Sequence, residues 1–147
     1  MGLKIACLTL TWLASPGLGA FLLSGKKNES KKKTASLKDR PQRRSALVAG
    51  ELARLDIDIA ALSETRFAEQ GSLKETGAGY TLFWSGRNRH ERRFSGVGFM
   101  IKTSIDRKLQ NLPVGHSDRL MSLRLPIQDN KFVTVLGVYA STLQAEA

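Results

Sequence analysis

The run Ile57-Asp58-Ile59-Ala60-Ala61-Leu62-Ser63-Glu64-Thr65-Arg66 constrains this chain more than any other stretch. It is mostly apolar, rich in β-branched and small residues, and closes on polar groups, which is the pattern of a buried strand over Ile57–Thr65. A strand covered on both faces tolerates a carboxylate only at its end, where the chain reaches a cleft or solvent. Glu64 stands at that end, well put to hold a divalent cation. A strand whose last residues merely reach water would look the same.

The rest of the chain narrows the choice. The net charge of +10 is unevenly spread. Residues 25–44 hold nine Lys or Arg against Glu29 and Asp39, whereas residues 45–147 are nearly balanced. A basic block of this kind attracts polyanions such as nucleic acid or anionic lipid. It equally suits a solvated linker. Cys7 is the single cysteine, so neither an intrachain disulfide nor a cysteine-based metal site can form.

Three regions follow. Residues 1–24 form an apolar N-terminal segment, uncharged from 5 to 24. Its length suits a membrane span or signal peptide, but Thr9, Thr11, Ser15, Pro16 and three glycines dilute it. The greater positive charge after the segment is the wrong order for a signal peptide. Residues 25–39 read as a basic disordered linker, and residues 40–147 as the folded part. There, Asp39 can cap a helix that starts near Pro41 and runs to about Leu55, with Val48, Ala49, Leu52 and Leu55 on its apolar face. A polar loop should follow the Ile57–Thr65 strand. Further strands are expected at Tyr80–Ser85, Gly96–Lys102, Leu120–Leu125 and Phe132–Tyr139, joined by Gly-, Asn-, Asp- and Pro-rich connections. A helix and then a run of strands points to an α+β or layered α/β fold.

The stretches Arg43–Arg54, Asp58–Phe67, Gly77–Tyr80, Phe83–Arg87, Glu91–Arg93, Gly96–Phe99, Asp118–Pro126 and Val138–Ala140 also match a family in order and spacing. The chain from about residue 40 resembles the endonuclease domain of LINE-type retrotransposons, including the craniofacial development protein 2-like group. These domains belong to the endonuclease/exonuclease/phosphatase superfamily. The resemblance implies an α+β fold of the four-layer α/β sandwich type, here incomplete, about half of the two-sheet sandwich. It implies Mg²⁺ as cofactor, DNA as partner and phosphodiester cleavage as chemistry. It makes Glu64 the metal-binding glutamate and Tyr139 the residue whose hydroxyl contacts the phosphate. A hard cation that keeps its waters is satisfied by one or two carboxylates, and a phenol stays a neutral donor near pH 7.

Departures from the pattern matter as much. Thr11-Trp12 is followed by Leu13 where the family has an asparagine, so the first strand should be replaced or remade. The family's Gly-Asp-x-Asn and Ser-Asp-His motifs are not found in these residues. His90 and His116 fall outside the family's catalytic position and read as surface residues. Phosphoryl transfer needs the metal, an oriented water and charge stabilisation together. The expectation is therefore a truncated, catalytically inactive relative of a Mg²⁺-dependent nicking enzyme, with an exposed inner sheet face and unpaired strand edges. A nuclear or cytoplasmic location fits this reading. One alternative is a non-catalytic nucleic-acid binder using segments 26–44 and 87–93, with Arg87, Arg89, Arg92 and Arg93 on phosphates and Trp84 stacking on bases. A second is a membrane-anchored or secreted protein built on residues 5–24. No small-molecule cofactor is implied.

Overall fold

The structure is a computed structural model that describes residues 2–10, 41–92 and 95–140. The basic linker 25–39, the Asp39 cap and most of the apolar segment lie outside the described residues. Among the described residues there are ten elements: β1 (Ile5–Thr9), α1 (Pro41–Arg54), β2 (Ile59–Ser63), β3 (Gln70–Glu75), β4 (Tyr80–Ser85), β5 (Val97–Lys102), α2 (Thr103–Asp106), β6 (Val114–Ser117), β7 (Leu120–Pro126) and β8 (Phe132–Val138). The strands form a five-stranded sheet ordered β1-β2-β5-β4-β3 and a three-stranded sheet ordered β6-β7-β8. The fold is thus mixed and rich in sheet. Among the described strands only the β1–β2 pair is parallel.

The near-continuous apolar runs of β2, β4 and β5 have a plain cause: both faces of the central sheet are covered. Alternate residues divide between two cores. Ala60, Leu62, Tyr80, Leu82 and Met100 meet Ala49 and Leu52 of α1. Ile59, Phe83, Val97, Phe99 and Ile101 meet Met121, Leu123 and Leu125 of β7. The inner face of the small sheet is therefore buried, not exposed as expected. On its outer side Leu136 and Val138 are exposed. At Gly137 β8 comes close to β5, because a Cβ there would lie 3.2 Å from the Phe99 ring.

Several expectations are corrected. Ile5–Thr9 is a strand paired with Ile59–Ser63 in parallel register, so the start of the apolar segment belongs to the sheet. The polar loop after Glu64 contains β3, whose residues alternate between exposed and half-buried as the outer strand beside β4. Polar Gln70, Ser72 and Lys74 are what an edge strand presents to water. On α1 the buried face is Ser45, Ala49 and Leu52, while Leu55 lies beyond the helix and is exposed. The Ser45 hydroxyl donates to the Glu75 carboxylate and so ties α1 to β3. Between β7 and β8, Asp129 and Asn130 both adopt positive φ, as a tight hairpin turn of the type I′ class requires.

Candidate functional site

The site lies where β2 ends. Glu64 and Arg66 adopt left-handed backbone angles, φ 56° and 57°. Each such non-glycine residue costs on the order of 1–3 kcal/mol and persists only where its surroundings impose it. Here the surroundings are hydrogen bonds from the adjoining segments. The Thr65 N–H donates to the Gly96 carbonyl at 3.1 Å, and the Arg66 N–H to the Ser95 carbonyl at 2.9 Å. The Gly96 N–H in turn donates to the Asp118 carbonyl at 3.0 Å. Gly96 itself has φ 113°, and a Cβ there would fall 2.4 Å from Thr65 Oγ1, so only glycine fits this crossing.

Asp118 secures the crossing from below. Its carboxylate accepts hydrogen bonds from the Ser95 hydroxyl and from Arg87 Nε, the latter at 3.0 Å. Burial pushes its carboxyl upward, but the Ser95 bond, the Arg87 bond and the Arg87 charge outweigh that and hold it below its ordinary value.

Across this end comes β8. The Tyr139 N–H donates to the Arg119 carbonyl at 2.9 Å, which continues the β7–β8 ladder by one more pair. The Tyr139 hydroxyl then donates to Glu64 Oε1 at 2.9 Å. Both side chains are half-buried. The phenol is raised above its ordinary value by burial, then by the hydrogen bond to Glu64 and that group's charge. The Arg119 and Arg66 charges act on the same phenol in the opposite sense. Glu64 and Tyr139, the two residues expected to share a site, are thus in direct contact. The arginines whose charges reach this phenol, half-buried Arg66 and exposed Arg119, were not assigned to the site from the sequence. The contact shown is a carboxylate accepting from a neutral phenol, with one carboxylate oxygen not engaged by that hydrogen bond.

The arginines expected on nucleic acid fare differently. Arg87 is half-buried and paired with Asp118, so it holds the fold together. Arg89 is exposed, with Glu69 at 3.8 Å. Arg92 is exposed, and Arg93 lies outside the described residues. Trp84 is half-buried: its indole N–H donates to the Ala68 carbonyl at 3.2 Å and its ring meets Phe67 edge-on, centroids 5.2 Å apart. His90 and His116 are exposed, and the His116 ring is hydrogen-bonded to the Ser122 hydroxyl at 2.8 Å. Among the described residues no three or more His, Cys, Asp or Glu side chains cluster as metal ligands, and no helix is long and apolar enough to cross a membrane.

No protein-family model matches the chain, and no curated protein is significantly similar to it.

Proposed function

We propose that this chain contains about the first half of a metal-dependent phosphodiesterase domain of the endonuclease/exonuclease/phosphatase superfamily, related to LINE-type retrotransposon endonucleases, and that by itself it does not turn over DNA. One observation carries the reading. Glu64 and Tyr139, 75 residues apart, were assigned to one site by resemblance alone, and the fold joins them by a hydrogen bond. The finer fold reading, a four-layer α/β sandwich of which the helix, the five-stranded sheet and part of a second sheet are in hand, belongs to the same proposal.

The residues fit Mg²⁺ as a single-carboxylate ligand set. Glu64 has one oxygen that accepts from Tyr139, which leaves the other for a hard cation that completes its shell with water. When bound, such an ion polarises a phosphate oxygen and stabilises a leaving oxygen. Tyr139 fixes the orientation of the carboxylate. Turnover needs more than this. No Gly-Asp-x-Asn and no Ser-Asp-His motif occurs in the 147 residues. No residue here is thereby assigned to orient the attacking water, and constellations of this kind lose activity out of proportion to the number of groups missing.

A plasmid-nicking assay with and without Mg²⁺, run beside Glu64→Ala, tests the reading. Absence of nicking, or equal nicking in the variant, is the expected result. Metal-dependent nicking that disappears in Glu64→Ala would show a working site and overturn the proposed inactivity. The binder alternative retains the exposed Arg89 and Arg92 in its favour. The membrane alternative has β1 against it, because residues 5–9 are a strand of the sheet.

A further inference from the structure

At the opposite end of the large sheet from Glu64 lies an open cleft of about 620 Å³. Glu64 follows the last residue of β2, whereas Lys102, which lines this cleft, donates its N–H to the carbonyl of Asp58, just ahead of the first, so roughly 20 Å of strand separates the two places. The β3–β4 turn contributes Thr76 and Gly79 to the cleft, and α2 contributes Thr103 and Ser104. The Thr103 N–H donates to the Gly79 carbonyl at 2.8 Å, which ties turn to helix. Nothing lies within 4 Å of a Cβ built at Gly77 or Gly79, so the space beside the turn is open. Lys74 and Arg107 line the cleft from one side. In register Lys74 stands opposite Thr81. Tyr80 and Leu82 face α1 and Phe83 faces β7, so alternation puts Lys74 on the β7 side, where Ile105 of α2 packs and Arg107 follows it. Both cations are exposed, and among the described residues neither forms an ion pair. Lys102 is already held by Asp56 and Asp58, at 2.6 and 3.3 Å. No carboxylate of the described residues lines the cleft.

We propose that this cleft binds a small organic phosphate, with the phosphate between Lys74 and Arg107 and the organic part over Ala53 and Ala78. Two cations without a carboxylate partner favour a dianion, and a guanidinium fork matches two phosphate oxygens at once. The hydroxyls of Thr76, Thr103 and Ser104 add donors that a tetrahedral group with several acceptor oxygens can engage more fully than a planar carboxylate. The volume is in the range of small-molecule sites and far exceeds that of a bare phosphate, which leaves room for a body. Ala53, on the exposed side of α1, and Ala78 line that remainder with apolar surface. Tyr80 lines it as well, but its hydroxyl is committed to the Ile57 carbonyl. The cleft shares no residue with the Glu64–Tyr139 contact, so it stands independently of the phosphodiesterase reading.

The test uses the full chain in EDTA at low ionic strength, where exposed charges are least screened, with phenyl phosphate as the probe. Binding is read from backbone amide shifts, and the dispersion of the remaining amides reports that each variant is folded. Thr76, Gly79, Thr103 and Ser104 should shift, and Glu64 and Thr65 should not. Lys74→Gln and Arg107→Gln should each weaken binding roughly tenfold, the scale of one charge-assisted hydrogen bond. Lys108→Gln removes an exposed charge next to Arg107 that does not line the cleft, and should leave affinity unchanged. Ala53→Glu puts a carboxylate at the apolar wall from an exposed helix position and should also weaken binding. Inorganic phosphate, which lacks the body, and benzoate, which lacks the tetrahedral group, should both bind more weakly than phenyl phosphate. Shifts centred on Thr65 and Gly96 instead, parental affinity in the Lys74 and Arg107 variants, or an equal loss in Lys108→Gln would overturn the site. Benzoate or inorganic phosphate binding as tightly as phenyl phosphate would overturn the assignment of an organic phosphate to it.

Discussion

Tyr139, at the end of β8, donates a 2.9 Å hydrogen bond to the Glu64 carboxylate, just past β2, and so fastens the small sheet to the large one at the candidate site. The phenol ring also packs against the core shared by the two sheets. Removal of the hydroxyl alone should leave that packing in place. Tyr139→Phe is expected to lower unfolding free energy by about 1 kcal/mol, the net worth of one hydrogen bond, as measured by urea denaturation with an unchanged slope.

Two glycines should respond to the same substitution with opposite signs. Gly96→Ala places a Cβ against Thr65 Oγ1 at a φ that side chains avoid, and should destabilise by about 2 kcal/mol or more. Gly50→Ala lies on the exposed side of α1 with nothing within 4 Å of the new methyl, and should stabilise by roughly 0.5–1 kcal/mol. Thermal melts of the two variants beside the parent check both.

Acid should act through Asp118. Its folded pKa lies below the unfolded value, so its stabilising contribution is complete above the unfolded value of about 3.9 and disappears as pH falls through the folded one. Stability is expected to be flat in this respect near neutrality and to decline below about pH 4. Asp118→Asn should lower stability at neutral pH and flatten that decline. Asp56, held low by its hydrogen bond to Lys102, adds a contribution of the same sign, so the variant's curve should keep a residual slope.

Packing between the sheets can be measured with a pair of leucines. Leu123 is fully buried against the large sheet, and Leu123→Ala should cost about 2–5 kcal/mol. Leu136 is 59% exposed on the outer side of β8, and Leu136→Ala should stay within about 0.5 kcal/mol. Similar costs for both would mean that the two sheets do not share a core.

The elements legible from the sequence were those with a buried, strongly patterned face: α1, β2, β4, β5, β7 and β8. β3 and β6 were not, because outer strands with polar residues such as Gln70, Lys74 and His116 resemble loops. β1 was hidden inside a longer uncharged run, since five residues that alternate in burial carry little signal beside fifteen more without charge. At the site, Glu64 stood out because a carboxylate ends an apolar run. Tyr139 alone reads as an aromatic closing a strand, and only the resemblance placed it beside Glu64. The influence of Arg66 and Arg119 on this phenol was illegible, because loop arginines are common and nothing local indicates that the β7–β8 register brings position 119 to position 139.

The parallel seating of β1 on β2 shapes how the molecule assembles and comes apart. Lys4 and Asp58, hydrogen-bonded at 2.8 Å, are 54 positions apart in the chain. Closing a loop of that span carries an entropic penalty on the order of 3–4 kcal/mol before any of its contacts form. The antiparallel pairs of the large sheet close over shorter spans, so the β1–β2 pairing carries the largest closure penalty in that sheet. Departure of β1 strips β2 of an outer neighbour while the rest of the sheet stays hydrogen-bonded. Exchange of β1 between molecules is the expected consequence of such a departure, and a dimer that grows with protein concentration after mild denaturation, read by size-exclusion chromatography, would show it.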